Sequence, residues 1–62
     1  MTSLAREYVE NVYAARDLGY TREEMTQYLK TLDDWLRAAT TGHVEFCQVL
    51  SDAYQIIEED SQ

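Results

Sequence analysis

One short stretch decides where the second helix of this chain begins: Gly19-Tyr20-Thr21-Arg22-Glu23-Glu24-Met25. Thr21 and Glu24 match a capping box, in which each side chain accepts a hydrogen bond from the backbone N–H of the other residue. Tyr20 and Met25 flank the box as a hydrophobic staple. Gly19 supplies the positive φ with which a preceding helix ends. The stretch therefore predicts that one helix ends and another begins within a few residues.

Apolar residues recur at helical spacing on both sides of this turn. The segment from Leu4 to Leu18 places its apolar side chains within one arc, which favours a short amphipathic helix: Leu4, Ala5, Tyr8, Val9, Val12 and Ala15. The segment after Thr21 repeats the pattern on one face with Met25, Leu29, Leu32, Leu36 and Ala39.

A third amphipathic segment runs from His43 to about Glu58, and its apolar arc covers about half of the helix circumference. The arc contains Phe46, Cys47, Val49, Leu50, Ala53, Tyr54, Ile56 and Ile57. One neighbouring helix rarely covers so wide an arc. Either this helix lies between two others, or part of the arc contacts another protein.

The connection between the second and third segments, Thr40-Thr41-Gly42, admits two structures. Placing these three residues inside a helix costs about 2 kcal/mol relative to alanine, and Thr41 could cap a new helix, so we expect a break. The alternative is one continuous or kinked helix, because an a/d heptad passes through Gly42. Its positions are Met25, Tyr28, Leu32, Trp35, Ala39, Gly42, Phe46, Val49, Ala53 and Ile56.

These patterns predict an all-α fold in which residues 1–62 form a single small bundle of three helices. An unfolded chain of this mass exposes about 10,400 Å² and a compact monomer about 4,100 Å². Burying the apolar part of the difference stabilises the fold by about 90 kcal/mol, and ordering the chain costs about the same. Because the single Cys47 cannot form an intrachain disulfide, we expect the bundle to be completed by homodimerisation.

Composition excludes several classes of partner. The net charge of −7 repels nucleic acid and anionic lipid, and no apolar run is long enough for a transmembrane helix. The first residues lack the basic and apolar regions of a signal peptide, and a lone cysteine is typical of a reducing compartment. We therefore expect a cytoplasmic protein that binds neither nucleic acid nor membrane.

Residues able to carry out catalysis or hold a cofactor are scarce. His43 and Cys47 share a helix face, which is the spacing of a nucleophile pair or of half a Cys₂His₂ metal site. A small thiol at the edge of the core is the commoner use of such a cysteine. No phosphate-binding loop, EF-hand or CxxC motif is present. We expect no catalytic residue, no metal and no cofactor.

Exclusion therefore favours a non-enzymatic protein that binds another protein as a regulator or inhibitor, such as an antagonist of a host factor encoded by a phage or mobile element. Tyr28 and Trp35 lie beside the apolar stripe of the second helix and not at its centre, and such side chains are common interface anchors. We predict an apolar-aromatic binding surface formed by Tyr28, Trp35, Ala39, Phe46, Val49 and Ile56.

Two alternative functions follow from other patterns. Glu45, Asp52 and Glu59 recur every seven residues along one face of the third segment, and this acidic stripe could occupy the basic groove of a DNA- or RNA-binding protein as a nucleic-acid mimic. The heptad through Gly42 would instead be the signature of a structural or assembly subunit.

The first testable prediction concerns the oligomeric state. We expect a helical homodimer at micromolar concentration, because a chain of this length barely offsets the entropy of ordering. Sedimentation equilibrium measures the mass directly. A stable 7.2 kDa monomer throughout that range would contradict the prediction.

Overall fold

The computed structural model describes residues 3–61 and folds them into three α-helices: α1 (Ser3–Asp17), α2 (Arg22–Ala39) and α3 (His43–Asp60). Helix α1 packs on both other helices, whereas α2 and α3 contact each other least. The prediction of an all-α bundle of three helices is confirmed. None of the helices within the described residues is long and apolar enough to span a bilayer.

The turn between α1 and α2 has the predicted local structure. The Glu24 backbone N–H donates to Thr21 Oγ1 at 3.2 Å, and the Thr21 backbone N–H donates to Glu24 Oε1 at 2.9 Å. Gly19 has φ +80°, the left-handed conformation that a glycine adopts without a steric penalty. The capping box and the glycine stop of α1 are therefore both confirmed.

The connection between α2 and α3 is a true break, so the continuous-helix alternative is wrong. Helix α2 ends at Ala39, and the Thr40 hydroxyl donates back to the Leu36 carbonyl at 2.9 Å. Thr41, which could have capped α3, does not do so, because the N-cap is Gly42, in extended conformation and without a side-chain cap. The Thr41 hydroxyl instead donates to the Glu45 carboxylate.

The core lies on both sides of α1, which is the middle helix. Ala5 and Ala53 are 1% and 0% exposed, and such small side chains let two helices approach closely. Buried side chains from all three helices fill the remaining space: Tyr8 and Val9 from α1, Leu32 and Leu36 from α2, and Phe46 and Val49 from α3. Since α1 and not α3 is central, the wide apolar arc of α3 is only partly covered.

Tyrosine hydroxyls on α1 and α2 connect the helices. Tyr8 donates to Asp33 Oδ1 at 3.1 Å and Tyr28 donates to Asn11 Oδ1 at 3.2 Å, a pairing that requires α1 and α2 to run antiparallel. Tyr13 donates to Asp60 Oδ2 on α3 at 3.0 Å.

Burial of the Tyr8 ring, with smaller contributions from Tyr54 and Asp33, raises the pKa of the Tyr8 hydroxyl above its usual value of 10.0. The unfolded chain has the ordinary pKa and therefore loses this proton first as the pH rises. The free energy of unfolding should consequently be unaffected by Tyr8 below about pH 10 and decrease above it.

The capping box yields a prediction about stability. Thr21→Ala removes the acceptor of the Glu24 N–H and should lower the free energy of unfolding by about 1 kcal/mol. Thr21→Ser keeps the hydroxyl and should be nearly silent. Urea denaturation of both variants tests this, and equal stability of the two would show that the hydroxyl does not cap α2.

Candidate protein-binding surface

Three aromatic side chains and one alanine lie along one flank of α2 and the turn before it. Tyr28, Trp35 and Ala39 share one flank of the helix because seven and four residues bring the chain round to almost the same direction. Trp35 is 38% exposed and Ala39 is exposed. Tyr20 extends the strip, with its ring edge-on to that of Tyr28 at 5.8 Å. We call these four residues the aromatic ridge.

The contacts of Tyr28 hold the centre of the aromatic ridge in place. Its hydroxyl donates a hydrogen bond to Asn11 Oδ1 of α1, and its ring makes an edge-to-face contact with the Tyr20 ring. Trp35 is the next ridge residue along α2. Tyr28 can therefore contact a partner without first losing much conformational freedom.

Two of the three α3 residues in the predicted binding surface lie in the core. Phe46 is 6% exposed and Val49 is 2% exposed, so both belong to the core, and Ile56 is half-buried against it. The guanidinium of Arg37 lies over the Phe46 ring at 5.0 Å. The six predicted residues would share one face only if the heptad continued through Gly42. Because the helix breaks there, Phe46 and Val49 of α3 face inward.

Several exposed apolar residues were absent from the predicted surface. Tyr20, which the sequence pairs with Met25 as a hydrophobic staple, is 38% exposed and contacts the Tyr28 ring. Leu18 and Val44 are also largely exposed. Tyr54 is 57% exposed and lies at the edge of the apolar arc of α3. That edge position was the one sequence signal that could have identified Tyr54 as exposed.

The acidic stripe runs along one face of α3, which is helical from His43 to Asp60. Asp52 and Glu59 line a groove of about 440 Å³ between α1 and α3, together with Asp60, Ile56 and Arg6. Glu45 lies at the opposite end of α3, where its carboxylate accepts the Thr41 hydroxyl. Asp52 also accepts a hydrogen bond from Gln48 Nε2 at 3.0 Å. Two of the three predicted residues therefore share a site, and the cationic Arg6 shares it with them.

His43 and Cys47 meet at the start of α3. His43 Nε2 lies 3.4 Å from Cys47 Sγ, and the imidazole ring stacks on the Phe46 ring at 6.5 Å. Cys47 is exposed, whereas the sequence favoured a thiol buried at the edge of the core. Within residues 3–61, no group of three or more histidine, cysteine, aspartate or glutamate side chains is arranged to hold a metal ion.

Comparison with protein-family models, with curated proteins and with solved structures found no match to this chain. Function has therefore to be inferred from the side chains that the fold leaves exposed.

The division between core and surface can be tested by stability. Phe46→Ala empties a buried site and should lower the free energy of unfolding by about 3 kcal/mol or more. Trp35→Ala should cost less, because Trp35 is 38% exposed and lies outside the buried core. Urea denaturation of the two variants measures this. A larger loss for Trp35→Ala would place the indole in the core and contradict its assignment to the surface.

Proposed function

We propose that this chain is a non-enzymatic binding module that regulates or inhibits another protein by docking its aromatic ridge into an apolar groove of that protein. The observation that carries the proposal is the 38% exposure of Trp35 on a helix whose core side is already filled by Leu32 and Leu36. Tryptophan and tyrosine are the side chains most often found to dominate binding energy in interfaces.

The charges around the aromatic ridge indicate the chemistry of the partner. At 100° per residue, Lys30 and Arg37 lie on the side of α2 opposite to Tyr28. By the same geometry the acidic residue Glu24 lies on the ridge side, and it is exposed. With a net charge of −7, the whole molecule adds to this field. A partner with an apolar groove and a basic rim would therefore be complementary in both shape and charge.

The amount of exposed surface is consistent with a binding protein. The chain has an accessible surface of 4672 Å², which exceeds the about 4,100 Å² expected of a compact monomer of its mass. A standard interface covers about 800 Å² on each partner, so docking would remove a substantial part of the exposed apolar area.

The experiment begins with identification of the partner by affinity purification from the native host and mass spectrometry, followed by titration calorimetry. Trp35→Ala should weaken binding by about 2 kcal/mol or more if the indole is an anchor, while circular dichroism shows an intact fold. Val44→Ala is the matched control, because Val44 is 83% exposed and lies outside the aromatic ridge. Normal binding by a folded Trp35→Ala variant would refute the proposal.

The nucleic-acid mimic remains the second candidate, and the shared groove of Asp52 and Glu59 is what favours it. Changing Glu45→Gln, Asp52→Asn and Glu59→Gln together removes three charges and keeps the shape. If the aromatic ridge carries binding, this variant should associate more slowly, keep most of its affinity and respond weakly to salt. Loss of binding in this variant, with steep salt dependence of the parent chain, would favour the mimic. The assembly-subunit alternative has lost its signature, since the heptad is interrupted at Gly42.

A further inference from the structure

One flank of α2 carries almost no charge. At 100° per residue, the other charged residues of α2 besides Glu24 fall within one third of the helix circumference: Arg22, Glu23, Lys30, Asp33, Asp34 and Arg37. The flank that faces away from these charges and from the core has the a/d spacing of a coiled coil. We call it the α2 seam: Glu24, Tyr28, Thr31, Trp35 and Ala38. Tyr28 is half-buried and the other four residues are exposed.

The α2 seam is complementary in size to a reversed copy of itself. In a twofold pair, residues equally far from the axis meet across the interface. With the axis level with Asp33, an antiparallel copy brings Trp35 against Thr31 and Tyr28 against Ala38. Each layer of the pairing then holds one large aromatic and one small side chain. A parallel pairing would instead place the two Trp35 rings against each other and leave a gap between the two Ala38 residues.

The polar groups of the α2 seam keep hydrogen-bond partners when the seam is covered. The Thr31 hydroxyl donates to the Gln27 carbonyl at 3.3 Å, and the Tyr28 hydroxyl donates to Asn11 Oδ1. Thr31 Oγ1 still has a lone pair, which can accept the indole N–H of Trp35 from a second copy. Covering the seam therefore leaves no hydroxyl of the seam unsatisfied, and this avoids the main cost of burying polar groups.

The charge distribution also favours a second copy on this flank. Two chains of charge −7 repel each other, so they approach most easily along the face with the fewest charges. Glu24 and Gly42 are equally far from the axis, so the one carboxylate of the seam arrives at the N-terminus of α3 in the second copy. That end of a helix is positive, and Arg37 and His43 line the adjoining cavity of about 510 Å³.

We infer that two copies of this chain pair antiparallel along their α2 seams, and that this pairing covers the aromatic ridge. The ridge and the seam share Tyr28 and Trp35, so one chain cannot use both at once. Covering of the ridge as a form of regulation rests on the proposed function, whereas the pairing itself does not. One helix seam covers less than the about 800 Å² per partner of a standard interface, so a binding partner can displace the second copy.

Two threonines of α2 allow a matched test of the pairing. Thr26 and Thr31 are both exposed, and each hydroxyl donates to the carbonyl four residues earlier, but only Thr31 lies in the α2 seam. Thr31→Glu should raise the dissociation constant of the dimer at least about tenfold, because a carboxylate would be buried against the indole of the second copy. Thr26→Glu adds the same charge on the other side of α2 and should change that constant by less than about threefold. Sedimentation equilibrium with a thiol reductant measures both constants, and circular dichroism checks that both variants are folded.

Cross-linking tests the antiparallel direction. In chains that carry Cys47→Ser, the variants Tyr28→Cys and Ala38→Cys place their thiols opposite each other, so a mixture of the two should oxidise to a mixed disulfide dimer. Ala38→Cys alone should cross-link slowly, because its two thiols would lie about 15 Å apart along the helices, beyond the reach of a disulfide.

Three results would overturn the pairing: a monomer throughout the micromolar range, equal dissociation constants for Thr31→Glu and Thr26→Glu, or rapid cross-linking of Ala38→Cys alone. None of these measurements needs the binding partner. Once the partner is known, its apparent affinity should fall as the chain concentration rises above the dimer dissociation constant, and an affinity independent of concentration would refute the regulation. The proposed function fails separately, if a folded Trp35→Ala variant binds the partner normally.

Discussion

The side chain of Tyr8 joins all three helices, and the arrangement of the molecule depends on it. Tyr8 is 1% exposed. Its ring makes an edge-to-face contact with Tyr54 of α3, and its hydroxyl donates to Asp33 of α2. A buried phenol is tolerated only because the hydroxyl has found a partner. The buried ring and its two contacts fix α1 as the middle helix, with α2 antiparallel to it.

A middle α1 decides which surfaces remain free. Each outer helix packs one stripe of buried side chains toward α1. On α2 this stripe is Leu32 and Leu36, and on α3 it is Phe46, Val49 and Ala53. The flanks of both stripes stay partly exposed, with Trp35 on one and Tyr54 on the other. The exposure of the aromatic ridge thus follows from the packing: within residues 3–61, α1 covers only one stripe of each outer helix.

Local signals were predictable from the sequence, and relations between distant segments were not. The Thr21 capping box and the positive φ of Gly19 depend on residues within one turn, so propensity alone predicts them. The low helix propensity of Thr40, Thr41 and Gly42 also predicted the break between α2 and α3, but the binding surface was chosen along the heptad that passes through that break. Phe46 and Val49 were consequently assigned to a surface. The Asp33 and Asp60 partners of the tyrosines carry no sequence signal, because any exposed acid at a suitable distance could serve.

The distribution of contacts also has a consequence for how the chain acquires its structure during synthesis. Helix α1 packs more extensively on α3, the helix farthest from it along the chain, than on its neighbour α2. A nascent α1–α2 hairpin emerging from the ribosome exposes the side of α1 that α3 will later cover, including Ala5 and part of the Tyr8 ring. The core of this segment therefore closes only after α3 has been made.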